Sequence, residues 1–261
     1  MKKIIALLSA LAALTLAACG SSTPDPAAEK VVVGTATAGS FTVKLLADKE
    51  LGTGANAVYA QVTTTSTGAA VTDLSVTIVP MMDMGTSMHS CPVTGPMVYD
   101  SATGAYGTGV VFQMMGNWTA KVSLARSGMA TAVADFAFPV ADAKASATFT
   151  PAGGMARYVL SYNYVNPLVV GLNTVAVTVY STTDMGMTFQ PVNDAMFEMV
   201  PWMPSMGHGA SGSVQPTRTT TPGAYQGKVM FSMPGDWEVT VNTYLMGSTT
   251  AAASPKFSTF F

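Results

Sequence analysis

The chain has 261 residues, of which only 10% are charged, and a formal net charge of −2. So little charge, with no basic stripe, argues against nucleic acid as a partner, and no acidic block marks a calcium loop or a solvating tail. Nineteen methionines stand beside only two histidines, so thioether is a far more abundant donor here than imidazole.

The N-terminus opens on Lys2 and Lys3, followed by an apolar run over 4–18. That run is shorter than the roughly twenty residues of a membrane-spanning helix and has the layout of an export signal. It ends in Leu16-Ala17-Ala18-Cys19, which resembles the lipobox of bacterial lipoproteins. The resemblance implies a signal peptide over 1–18, lipidation of Cys19, and a periplasm-facing protein held to the membrane through its lipid. Gly20 follows the cysteine where an inner-membrane retention signal has aspartate, which favours the outer membrane. Residues 19–30, with Ser21, Ser22, Pro24 and Pro26, read as a flexible tether. Removal of Lys2 and Lys3 leaves ten basic residues against fourteen acidic ones, a formal charge near −4. Cys91 is then the only thiol other than Cys19, so no intrachain disulfide forms if Cys19 carries lipid.

Beyond the tether, short alternating or β-branched runs occur at 41–46, 57–64, 74–79, 109–114, 118–124 and 132–138. A second set follows at 147–150, 157–164, 174–180, 195–200, 228–233 and 237–244. Gly, Asn, Pro, Asp and Ser fill the gaps, and no helical period extends over ten residues. Spacing of this kind predicts an all-β chain of sandwich domains.

An internal repeat sets their number. Gly104-Ala105-Tyr106 through Gly116-Asn117-Trp118 matches Gly223-Ala224-Tyr225 through Gly235-Asp236-Trp237. Upstream, Gly54-Ala55-Asn56 matches Gly171-Leu172-Asn173, and Pro80 matches Pro201. An offset near 120 residues makes each unit a whole domain. The predicted boundaries are 31–142 and 146–261. Within the shared stretch, Met-x-Gly-x-Trp reads as the tight turn of a hairpin, with Trp118 and Trp237 anchoring the core.

Each repeat carries one histidine inside a methionine-rich loop. In the second, Met203, Met206 and His208 form a candidate ligand set, with Met206 and His208 facing the same way in extended backbone and Met233 supplied by the neighbouring strand. In the first, Met84, Met88, His89 and Cys91 are the analogous set, with Met114 as strand partner; the alternative for Cys91 is a buried, inert thiol. There the adjacency of Met88 and His89 demands an irregular loop. Thioether and imidazole together select Cu(I) over zinc, which prefers thiolate, imidazole and carboxylate. Met81, Met97, Met129, Met155, Met196, Met199, Met230 and Met246 read as soft packing residues.

The second repeat resembles the YtkA-like domain family, related to FixH-type proteins. The resemblance rests on Gly171-Leu172-Asn173, on Trp202-Met203-Pro204-Ser205-Met206-Gly207-His208-Gly209, and on Gly223-Ala224-Tyr225 with Met233-Pro234-Gly235-Asp236-Trp237. It implies immunoglobulin-like sandwiches, here two in tandem, and a partner in copper handling or oxidase assembly. The first repeat departs from the pattern, lacking the internal proline and carrying Met115 where the second has Pro234.

No nucleophile motif, zinc-protease motif or phosphate loop is present, so the expected function is not enzymatic. It is that of an envelope-anchored Cu(I) carrier, buffer or metallochaperone. The competing expectation is a structural or interaction module whose methionines contact a partner or the sister domain. Enzymatic action on cell-envelope material is a distant third.

Overall fold

Along one inner strand Phe197, Met199, Pro201 and Met203 are buried while Met196, Glu198, Val200 and Trp202 face solvent. This period-two burial is what a strand produces when one sheet face meets a core, and it recurs through the chain. The computed structural model describes residues 29–261, so the signal-peptide and Cys19 assignments lie outside the described residues. Among the described residues there is no helix.

The first unit contains β1 (Val31–Ala38), β2 (Phe41–Ala47), β3 (Gly54–Thr64), β4 (Ser75–Asp83), β5 (Met88–His89), β6 (Val98–Asp100), β7 (Ala105–Phe112), β8 (Gly116–Ala125) and β9 (Ala132–Val140). One sheet runs β1-β2-β3-β7-β6 and the other β5-β4-β8-β9. The second unit contains β10 (Ser146–Phe149), β11 (Arg157–Tyr164), β12 (Gly171–Thr182), β13 (Gln190–Pro191), β14 (Met196–Met203), β15 (His208–Gly209), β16 (Val214–Arg218), β17 (Ala224–Phe231), β18 (Asp236–Tyr244) and β19 (Lys256–Phe260). Its sheets run β10-β11-β12-β17-β16, with β13 on β12, and β15-β14-β18-β19. Apart from the outermost strands, both units have the strand order of an immunoglobulin constant-type sandwich, four strands against three. Both are therefore immunoglobulin-like β-sandwiches.

The motifs shared by the repeats have structural causes. Asn56 donates to the Gly52 and Gly54 carbonyls at 2.7 and 2.9 Å, and Asn173 closes its loop on Val169 and Gly171 at 2.8 and 3.0 Å. The Tyr106 hydroxyl accepts from Leu74 N–H and donates to the Val71 carbonyl, both at 3.0 Å. Tyr225 does the same with Ala195 and Val192, at 3.0 and 2.8 Å. Each tyrosine thus ties the loop ahead of β4 or β14 to the opposite sheet.

The hairpin expected at Met-x-Gly-x-Trp is not formed. β7 pairs with β3 and β6, whereas β8 pairs with β4 and β9. The glycine turn is a corner that carries the chain from one sheet to the other, and the same holds between β17 and β18. Alternation around a glycine reads identically for both geometries. What separates them is the tryptophan, which at 1% exposure in both units lies between the sheets.

The expected packing role of the remaining methionines divides. Met97 and Met199 are core residues, but Met155 is 95% exposed, Met246 79% and Met196 52%. Those exposed thioethers fill no core.

Candidate metal centres

Both histidines sit on two-residue strands, β5 and β15, that extend the sheet past β4 and β14. His89 lies directly opposite Met82, and His208 directly opposite Met203. Cross-strand partners share a sheet face with Cβ atoms about 5 Å apart. That face is the inner one, since Met203 continues the buried positions of β14. The register of β4 with β8 (Met81 opposite Thr119) and of β14 with β18 (Trp202 opposite Glu238) brings Met82 beside Trp118 and Met203 beside Trp237. Imidazole, thioether and indole thus follow one another at the open end of each core.

Both imidazoles are held at Nδ1. The His208 Nδ1–H donates to the Gly209 carbonyl at 3.0 Å, whereas His89 Nδ1 stands between two partners, the Ser90 carbonyl at 2.9 Å and the Gln113 amide nitrogen at 3.0 Å. A carbonyl only accepts, so His208 carries its proton on Nδ1 and keeps a lone pair on Nε2, and the same tautomer of His89 is the one that satisfies the Ser90 carbonyl. Gln113 Nε2 converges on the same Ser90 carbonyl at 2.8 Å. Each ring meets the tryptophan edge-on, at 5.3 Å and 79° for His89–Trp118 and 5.7 Å and 81° for His208–Trp237. Both Nε2 atoms are buried and without a hydrogen-bond partner. A buried polar atom normally has one, whereas an imidazole bound to a metal keeps one nitrogen on a backbone carbonyl and offers the other.

The corner glycines make room for the thioethers. A Cβ on Gly235 would stand 2.7 Å from Met203 Cε, and one on Gly116 would overlap Met82 Cε. The corner carbonyls of Met114 and Met233 accept from Trp118 and Trp237 Nε1–H at 3.2 and 2.9 Å, which fixes Met114 and Met233 at the rim of each site.

The expected ligand sets are rearranged. Met206 is not in extended backbone. It lies in a tight turn in which the Gly207 N–H donates to the Met203 carbonyl at 2.9 Å, and it is 63% exposed. Pro204 and Ser205 bend the chain, and Ser205 binds the Asp236 carboxylate through its hydroxyl and its N–H. These bonds, the hydroxyl's foremost, hold that carboxyl below its usual range. Met233 is at the corner, partly exposed. In the first unit Met84, Met88, His89 and Met114 all border one cavity of about 460 Å³. Met88 is exposed and His89 buried, as adjacent strand residues should be, yet both reach this space.

Cys91 is separated from that set. It is 2% exposed inside the first core, and burial pushes its thiol well above its ordinary range, so it is a protonated packing residue. Met82 was not in the expected set, although Pro80 and Pro201 already aligned it with Met203. Among the described residues no group of three or more His, Cys, Asp and Glu side chains is assembled.

Fold and corners define the class: a protein of two immunoglobulin-like sandwiches, each with a histidine, methionine and tryptophan at one core end. The chain belongs to the YtkA-like family, whose model matches residues 35–123 and 159–242, once per sandwich. No curated protein matches it. Among solved structures it is similar to the Escherichia coli adhesin FdeC, at 16% identity over 87% of this chain, with a TM-score of 0.28. The chain spans 66% of the FdeC chain's length. It is also similar to the D0-D1 domain of intimin, at 14% identity over 82% of this chain and 96% of that one, with a TM-score of 0.27.

Proposed function

We propose that this protein binds Cu(I) at its two Met/His corners and serves as an envelope-anchored carrier, buffer or metallochaperone. The observation that carries the reading is the repeated orphan Nε2. In both units it is buried and unpartnered beside a cross-strand methionine, while Nδ1 is tied to the next carbonyl. Neutral imidazole and thioether are the ligand types that soft, reduced copper prefers. Flexible thioethers allow stepwise ligand exchange with a donor or acceptor, so the protein would move the ion without transforming it. Attachment through a lipid on Cys19 would place this exchange at the membrane, with a copper-handling or oxidase-assembly protein as the partner.

Competition titration of the purified protein with Cu(I) against a chromophoric chelator tests this. The expected result is binding tighter than micromolar, weakened at least tenfold in the His89→Ala/His208→Ala double variant. Weaker binding, or an unchanged affinity in the double variant, would contradict the reading. It would then favour an interaction module whose exposed methionines contact another protein.

A further inference from the structure

The two corners differ in what faces them. The corner of the first unit opens onto the second unit, which contributes Met155, Arg157, Thr182, Thr183 and Met185 to the same cavity. Half of the ten lining side chains are methionines, in a chain with nineteen in 261. Met155 lies in the turn between β10 and β11, and Met185 in the loop between β12 and β13. They are 95% and 79% exposed, so core packing does not explain them.

The apposition is built in. The Ser90 N–H, next to His89, donates across the units to the Gly186 carbonyl at 2.8 Å. Gly186 has a φ of +89°, and a Cβ there would lie 3.3 Å from His89 Cβ and 2.6 Å from Arg157 Nη2. The positive φ favours glycine there, and its missing side chain leaves room for His89 and the Arg157 guanidinium. Met185 itself has a φ of +59°, a left-handed conformation that a long side chain adopts only at a cost. The Asp184 carboxylate pins the loop, accepting from the Thr188 hydroxyl and N–H, the Thr182 hydroxyl and the Met187 N–H at 2.6–3.0 Å. The corresponding segment of the first unit, between β3 and β4, contains no methionine.

Resting on the copper reading above, we propose that the second unit completes the metal site of the first. His89 at the floor of the cavity and Met84, Met88 and Met114 at its rim are joined by Met155 and Met185 from across the boundary. The ligand is a soft monovalent cation, Cu(I) or its analogue Ag(I). Arg157 selects against the divalent state. All the proposed ligands are neutral, and the guanidinium in the wall repels a dication twice as strongly as a monocation at equal distance. Among the described residues no such loop from the first unit faces His208 in the second, so the two sites bind unequally and occupancy of the first links the units.

Ag(I) titration followed by calorimetry, in a His208→Ala background that leaves only the first site, separates the possibilities. Met155→Leu/Met185→Leu removes two sulfur donors with little change of volume, and both side chains are exposed, so the fold is retained. The expected result is one equivalent bound in the background protein, with affinity reduced at least tenfold by the double leucine change and abolished by His89→Ala. Binding that depends on His89 but is indifferent to the leucine changes would overturn the composite site and leave the copper reading standing. No binding in the background protein would overturn the composite site and the first corner of the copper reading, and no binding in the unaltered protein either would overturn that reading at both corners.

Discussion

His89 and His208 illustrate how a side chain's role is set by its second nitrogen. Each ring sets Nδ1 against the following carbonyl, in His89 with the Gln113 amide nitrogen beside it, and leaves Nε2 buried without a partner. Each leans on a tryptophan whose own N–H is bound at the glycine corner. The corner glycines are what allow Met82 and Met203 to lie beneath the turn. Gly235→Ala is therefore expected to destabilise the protein by about 1–3 kcal/mol, because strain at a φ of +141° adds to a close contact with Met203. Gly207 also has a positive φ, +65°, but nothing lies near its Cβ direction, so Gly207→Ala should lose only about 1 kcal/mol. Urea unfolding of the two variants checks the difference, and equal losses would show that packing on Met203 is unimportant. At this scale the sequence singled out both histidines, because two in a histidine-poor chain stand out. Cys91 was open between a buried, inert thiol and a ligand, and proximity along the chain to His89 does not show that the thiol turns into the core.

At the scale of elements, the inner strands were legible because each buries alternate residues against the facing sheet. The strands missed were β1, β5, β6, β13, β15, β16 and β19, which are edges or two-residue pairings. An edge strand is bonded on one side only, and β16 even carries Pro216, which cannot donate to a ladder. Missing β5 and β15 mattered most, since those strands place each histidine opposite its methionine. The corner between β7 and β8 was mistaken for a hairpin because pattern alone does not say which sheet the chain enters. The loop between β12 and β13 also escaped notice, and it depends on one carboxylate. Bonds from Thr188, then Thr182 and Met187, hold the Asp184 carboxyl well below its ordinary range. A depressed folded-state value means that the stabilisation is present above the unfolded value, near 3.8, and is lost as the pH falls below it. Asp184→Asn should therefore lower the thermal midpoint at pH 6 but make progressively less difference as the pH drops through 4 towards 2. A constant difference across that range, followed by calorimetry, would show that the charge plays no part in holding the loop.

For the whole molecule, the repeat fixed two domains, but nothing along the chain announced how they meet. Val111 is the instructive residue. Its neighbours Val110 and Phe112 already face the first core, so alternation assigns Val111 to solvent. It is instead fully buried, clustered with Val159 and Tyr180 of the second unit. Beside it, Ala55 N–H donates to Asn163 Oδ1 at 3.1 Å, and Ala145 of the linker fills the space over Gly54. Contacts between domains carry no periodic signature of their own, so the cavity they enclose was not legible, and Met155 on its wall read as a packing residue. The central claim is that these corners present imidazole and thioether together to one soft ion. X-ray absorption at the copper edge of the Cu(I)-loaded protein tests it most directly. The account predicts a mixed shell of sulfur and imidazole nitrogen, whose imidazole contribution disappears in the His89→Ala/His208→Ala variant. A shell of oxygen and nitrogen alone, or one unchanged in that variant, would contradict it.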